Sequence, residues 1–244
     1  MPTAMILAAG RGERMQPLSA VTPKPLLIVG GKPLIVWQIG ALARAGYRKL
    51  VINAAHLASQ LVSALGDGSG YGVEIAWSVE AEPLETAGGI ATAMPLLPEG
   101  PILIVSGDLW TTFDYATLRA RADLMAMDEA MPRVHLVMVP NPPFHPDGDF
   151  ALDGSRIHRE GPRKLTFGNI GIYDTVLFRE LPRGAKLKLL PLYHDWIARG
   201  LVSGEFFDGP WANVGTPAEL AALDLQLTAH KELRTLRTST RMLE

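Results

Sequence analysis

Cysteine is absent from this 244-residue chain, which removes disulfides, thiolate metal sites and a thiol nucleophile together. Excess positive charge is absent too: 23 Lys and Arg stand against 25 Asp and Glu, a formal charge of −2. A nucleic-acid groove draws on a basic excess, so no nucleic-acid partner is expected, and any anionic substrate must be met by a local cluster of cations. No apolar run approaches the roughly 20 residues that span a bilayer, so no membrane segment is expected. The opening MPTAMILAAG lacks the cationic head and long apolar stretch of a signal peptide, which makes a cytoplasmic location the expectation. The six histidines lack the H-x-x-x-H spacing of a zinc helix, no G-x-S-x-G elbow supports a serine hydrolase, and there are no internal repeats.

What is present is a hydrophobic fraction of 48 %, enough for a real core, and an alternation of apolar runs with helical patterns. Strands are expected at 4–9, 49–55, 73–80, 101–108 and 133–140, and helices at 33–45, 57–65, 86–97 and 115–130. Pro33 suits a first helical position, and Gly46 ends that pattern. Apolar strands alternating with helices predict an α/β fold, Rossmann-like, with a mostly parallel central sheet covered by helices on both faces. Beyond 140 the pattern changes. Residues 149–160 read as a hairpin around Asp153-Gly154, 168–173 as a strand, and 187–199 and 217–233 as helices. Thr216 can cap the last helix, with Pro217 first and Glu219 third. No linker interrupts the chain. The expectation is one domain over 1–230, with a nucleotide-type half to about 112 and a mixed half over 113–230, then a frayed tail at 231–244.

Three stretches carry chemistry. In LAAGRGERMQPLSAVTPKPLL (7–27), Gly10 and Gly12 allow positive φ and close approach of a ligand to the backbone, and amides in such a turn form a nest for phosphate oxygens. Arg11, Arg14 and Lys24 supply charge. The turn leaves the carboxyl end of the first strand, where open α/β sheets bind ligands. It is neither the dinucleotide fingerprint, whose third glycine would fall at Met15, nor a Walker loop, since no G-K-[ST] follows. In SGDLW, Asp108 follows a buried strand, where it can hold Mg²⁺ through oxygen or cap a turn. In EAEPLETAGGI (80–90), Thr86 could cap a helix, and Gly88-Gly89 leave space for a flat ring; Glu80 and Glu82 stand close by.

The first stretch resembles the L-x-x-G-x-G-x-R-[LM]-x-P-L-T…P-K-[PA]-[LM] signature of sugar-nucleotidyltransferases, which join a nucleoside triphosphate to a sugar 1-phosphate. Ser19 stands for the usual Thr, and the resemblance spans about residues 4–225. It implies the nucleotide-diphospho-sugar transferase fold, with Mg²⁺ as cofactor and a sugar-binding C-terminal half. Ala9, Gly10, Gly12, Glu13, Arg14, Lys24, Glu80, Gly88 and Ser106 would meet the nucleotide. Arg14, Lys24 and Asp108 would be catalytic. Asp108 would hold the metal with Asn213, which in WANVGT replaces the Asp usual in the family and removes a charge. Asn169 (in GNIGIY) would meet sugar hydroxyls; in the sugar-binding half Asp149 could accept from another hydroxyl or serve a turn, and Lys188 could be a second phosphate-side cation or a snorkelling helix lysine. The E-K-P lysine of many thymidylyl- and guanylyltransferases is missing, with EGPRK in its place.

Within the family the blocks look most like the uridylyltransferases of N-acetylmuramate α-1-phosphate, which serve peptidoglycan recycling. Mannose-1-phosphate guanylyltransferases and glucose-1-phosphate thymidylyl- or uridylyltransferases are the alternatives. Asn213 also admits a non-catalytic nucleotide-sugar sensor. The implied partners are UTP and a sugar 1-phosphate, in a monomer or small homo-oligomer.

Overall fold

A computed structural model describes residues 2–128 and 130–241, with 230–241 as backbone only. Strand β1 (Thr3–Leu7) runs into the glycine–arginine loop. Two short 3-10 turns, Glu13–Met15 and Lys24–Leu26, then flank the one-turn helix α1 (Leu18–Val21). The ribbon β2 (Ile28–Val29) and β3 (Lys32–Pro33) leads to α2 (Leu34–Arg44). Pro33 thus ends an extended pair and precedes the helix, instead of being its first residue. Next come β4 (Lys49–Ala54), α3 (Ala58–Leu65), β5 (Glu74–Val79), α4 (Glu85–Ala93), β6 (Pro101–Ser106), β7 (Leu109–Thr111) and α5 (Tyr115–Met127). The second half holds β8 (Val134–Val139), the hairpin β9 (Phe150–Asp153) and β10 (Arg156–His158), the long β11 (Lys164–Asp174), α6 (Leu190–Ala198), β12 (Val202–Phe206), β13 (Trp211–Asn213) and α7 (Pro217–Arg241).

Nine strands form one sheet in the order β5-β4-β1-β6-β11-β8-β12-β10-β9. The first four are parallel, in keeping with their mostly apolar strands covered on both faces. Side chains alternate between two cores. Ile6, Ile52 and Val105 pack with α2, α3 and α5 on one face, while Met5, Val51 and Ile104 pack with α4 and α6 on the other. Every pairing that involves β9, β10 or β11 is antiparallel, and β12 returns parallel to β8. The sheet is therefore parallel in its first half and mixed in its second.

From β1 the chain adds β4 and β5 on one side, then crosses to lay β6 on the other. The carboxyl ends of β1 and β6 consequently open at a topological switch point, the usual ligand crevice of such sheets. Gly107 lies there, its N–H 2.9 Å from the Leu7 carbonyl. β7 and β13 pair as a small separate ribbon, with Asn213 opposite Leu109.

Several helix ends differ from expectation. Thr86 does not cap α4: Leu84 stands at that position without a side-chain bond, and α4 begins at Glu85. That helix ends at Ala93, ahead of Pro95, which cannot donate to an earlier turn. Helix α6 starts only at Leu190, so Lys188 lies before it. The box at α7 does form. Glu219 Oε2 accepts from Thr216 N (2.9 Å) and Gly215 N (2.6 Å), and Glu219 N donates to Thr216 Oγ1 (3.3 Å). Most of the expected frayed tail continues α7 to Arg241, and 242–244 lie outside the described residues. No helix among the described residues is long and apolar enough to cross a membrane.

Candidate active site

The loop after β1 is held from beneath. Gly12 is left-handed (φ 65°), and its carbonyl accepts from Ser19 Oγ (2.7 Å) and Met15 N (2.8 Å). A side chain at Gly12 would crowd Lys24 and Ser19 at 3.2–3.3 Å. Ser19, fully buried, keeps the one hydroxyl the loop needs. Gly10 differs from expectation: its φ is not positive, and a Cβ there would meet nothing within 4 Å, so it faces open space. The amides of Ala9 to Gly12 find no partner among the described residues, which leaves them available to an anion.

These residues line a cleft of about 820 Å³ with Arg11, Glu13, Arg14, Lys24, Ser106 and Asp108. Lys24 Nζ lies 2.5 Å from Asp108 Oδ2, with the two side chains 12 % and 26 % exposed. Asp108 is placed by a buried relay: Tyr115 OH donates to Gln38 Oε1 (2.5 Å), and Gln38 Nε2 donates to the carbonyl of the adjacent Leu109 (2.6 Å). Val214 N donates to the Asp108 carbonyl (3.0 Å), which joins this strand end to Asn213.

Asn213 Oδ1 is buried and without a partner. An orphaned carbonyl oxygen costs about 1–3 kcal/mol, and a hard cation would satisfy it. Among the described residues no cluster of three His, Cys, Asp or Glu could hold a metal unaided. Asp108 lines the first cleft and Asn213 its neighbour; a carboxylate and an amide oxygen are both hard donors of the kind Mg²⁺ takes while it keeps positions for substrate phosphates and water.

The segment from Glu82 to Thr86, with Asn53, also lines the cleft. Glu80 does not line it. It is 4 % exposed and accepts from Asn53 Nδ2 (2.7 Å) and Leu84 N (3.1 Å), while Asn53 Oδ1 accepts from Ala8 N (2.8 Å). Burial raises the Glu80 carboxyl above its ordinary pKa, and the bond from Asn53 partly offsets this. Glu80 thus fixes the ends of β1, β4 and β5 relative to each other and stays behind the wall.

Gly88 also differs from expectation. A Cβ there would stand 2.1 Å from the Ala185 carbonyl, and the amides of Ala87 and Gly88 both donate to the Leu187 carbonyl (3.0 and 3.1 Å). Its missing side chain admits the irregular segment 185–187, and no space for a flat ring opens at that position. The clip brings Lys186 to the cleft in place of Lys188, which lines none of the clefts described here. The alternation A-K-L-K-L turns both lysines outward, and nothing in it distinguishes them. Asn53, Lys186 and Glu85 are cleft residues that motif reading missed. Glu85 is one of three non-glycine residues with positive φ (61°) among the described residues, a strained state often kept at ligand sites.

A second cleft of about 440 Å³ adjoins the first and shares Arg14 with it. The guanidinium packs over Gly215, where a Cβ would come 2.9 Å from Nη2. Asp149, Asn169 and Asn213 line this second cleft among the rings of Phe144, Phe150, Phe167, Tyr193 and Trp211. Asn169 reaches it through a bulge: β11 sets residues 168–170 opposite the single Val137 of β8, with Asn169 left-handed (φ 57°). Trp211 Nε1 ties the bulge by donating to the Gly168 carbonyl (2.9 Å). Asp149 Oδ2 accepts from Phe167 N (2.8 Å).

The structure therefore gathers Ala9, Gly10, Gly12, Glu13, Arg14, Lys24, Ser106 and Asp108 around one cleft and Asp149, Asn169 and Asn213 around its neighbour, and leaves Glu80, Gly88 and Lys188 out. Residues 3–143 match the sequence model of the nucleotidyl transferase family. The chain is 49 % identical over 222 residues to the N-acetylmuramate alpha-1-phosphate uridylyltransferase of Neisseria meningitidis serogroup B, covering 89 % of this chain and 94 % of that one. It is 33 % identical to the enzyme of the same description from Caulobacter vibrioides, covering 90 % and 94 %. The inositol-1-phosphate CTP transferase structure from T. maritima superposes with a TM-score of 0.74 at 17 % identity, over 94 % of this chain and 95 % of that one. With the same fold and near-complete overlap with two such relatives, the chain belongs to the nucleotidyl transferase family.

Proposed function

We propose that the protein transfers a uridylyl group from UTP to N-acetylmuramate α-1-phosphate, giving UDP-N-acetylmuramate and pyrophosphate, as a step of peptidoglycan recycling. The observation that carries the reading is the meeting of two clefts at Arg14: one with free amides and cations suited to a triphosphate, the other ringed by aromatic side chains suited to a sugar. The near full-length relatives named for this reaction support the choice of base and sugar.

A sugar-phosphate oxygen attacks the α-phosphorus in line, the P–O bond to the β-phosphate breaks, and pyrophosphate leaves. The nucleophile is already an anion, so no strong base is required. The obstacle is repulsion between two polyanions. The amides of Ala9 to Gly12 hold the phosphates, and Arg14 and Lys24 neutralise and align them. Lys186 adds charge from the clipped segment. Asn169 and Asp149 orient sugar hydroxyls. Asp108 and Asn213 would hold Mg²⁺, which supplies Lewis-acid stabilisation of phosphoryl oxygens when bound.

Pyrophosphate release tests this directly. Purified protein with Mg²⁺ is given UTP, CTP, GTP or dTTP against N-acetylmuramate, N-acetylglucosamine, glucose and mannose 1-phosphates. The highest kcat/KM is expected for UTP with N-acetylmuramate α-1-phosphate. A preference for GTP with mannose 1-phosphate, or no turnover with any pair, overturns the reading.

A further inference from the structure

Of the described residues lining the sugar-side cleft, only Arg14 and His145 can carry positive charge, and Arg14 belongs to the phosphate side as well. His145 stands in the loop between β8 and β9. Its backbone N–H donates to the Pro142 carbonyl (2.9 Å). The side chain of Asn141 braces the same loop, donating to the carbonyls of Pro146 (2.9 Å) and Lys164 (3.1 Å) and accepting from Thr166 Oγ1 (2.9 Å). The imidazole is fixed from one side: Nε2 lies 3.1 Å from Asp149 Oδ1, and the other oxygen of Asp149 is held by Phe167 N. Nδ1 has no partner among the described residues, and the side chain is 38 % exposed. Beside it Phe144 leaves half of its surface uncovered in the same cleft.

We propose that His145, with Phe144, reads the lactyl ether of the sugar substrate. The inference rests on the reaction proposed above. N-acetylmuramate differs from N-acetylglucosamine by this one group, which carries a carboxylate and a methyl. A carboxylate entering this cleft meets Asp149, a like charge, unless a cation stands between them. His145 stands next to Asp149 with a free ring nitrogen. With Nε2–H donated to Asp149, protonated Nδ1 donates to the lactyl carboxylate, and the ring of Phe144 takes the methyl. A charge-assisted bond of this kind is stronger than a neutral one, and a site built to pair a charged group discriminates sharply against the analogue that lacks it.

The test compares two sugars on one enzyme. With UTP saturating, the KM for N-acetylmuramate α-1-phosphate is measured, and N-acetylglucosamine 1-phosphate is titrated as a competitor, so that its inhibition constant is defined whether or not it reacts. His145→Gln should reduce the preference for the muramate sugar, expressed as the ratio of these two constants, by about 10- to 100-fold, and His145→Ala by a similar factor. A ratio unchanged in both variants overturns the role of His145, because a merely structural histidine would shift both sugars together. Wild-type protein that does not turn over N-acetylmuramate α-1-phosphate overturns the parent reaction instead.

Discussion

Asn213 presents an uncharged oxygen where sugar-nucleotidyltransferases usually place a carboxylate, and that oxygen is buried without a partner. Restoring the charge should tighten a divalent ion: Asn213→Asp is expected to lower the apparent dissociation constant for Mn²⁺, followed by paramagnetic titration with UTP present, by roughly ten-fold. Lys24 and Asp108 form an ion pair at the first cleft. Lys24→Ala should reduce kcat by about 10²- to 10³-fold, the scale of losing one transition-state donor. Asp108→Ala should abolish turnover. Both variants should keep the far-UV circular dichroism of the wild type, since the pair lies at the cleft and in neither core. Substantial Mg²⁺-dependent turnover by Asp108→Ala would remove that carboxylate from the reaction.

At the scale of elements, the start of α4 joins two distant segments. Gly88→Ala forces a methyl into the Ala185 carbonyl, so the 185–187 segment must move and carry Lys186 with it. A loss of about 1–3 kcal/mol by urea unfolding, with a raised KM for UTP, is the expected result. Glu80 beneath the same corner adds a pH term. Its pKa is raised in the folded protein by burial, so the fold binds this proton more tightly than the unfolded chain does. Its contribution is complete below about pH 4.5, the ordinary value, and is lost as pH rises through the shifted one. Urea unfolding of the wild type over pH 4–7 should show that decline, and Glu80→Gln should lack it.

Elements were legible in proportion to how much of their signal was apolar. β1, β4, β5 and β6 are mostly apolar runs, and the structure matches the expected bounds to within about two residues. β12 went unread because V-S-G-E-F mixes polar residues with a glycine. Gly204 is there because a Cβ would strike Ile157 and the Leu136 carbonyl, a requirement set by a strand nearly fifty residues away. β7 and β13 are three residues each, too short for any period to show. For the site, the glycine–arginine loop and Asp108 were readable because each follows directly from a strand end. The misplacement of Glu80 and Gly88 has a different origin. Residue type sets what a side chain can bond, but tertiary packing decides whether ligand or protein receives it.

At the scale of the molecule, one sheet crosses the boundary between the two halves: β6 from the first is bonded along five residues to β11 from the second. Separate melting of the halves would require that ladder to break with one side intact. Calorimetry should therefore show a single transition, and UTP at a hundred times its dissociation constant should stabilise the whole by about 2.7 kcal/mol. Two resolved peaks would contradict this.

Arg14 borders both clefts and rests on the backbone of Gly215. A cation placed on a party wall cannot serve one tenant in isolation: charge arriving on either side alters the field felt on the other. In the reaction proposed above, the affinities for nucleotide and sugar phosphate would thereby be linked through one guanidinium, and Arg14→Ala is expected to weaken both ligands at once.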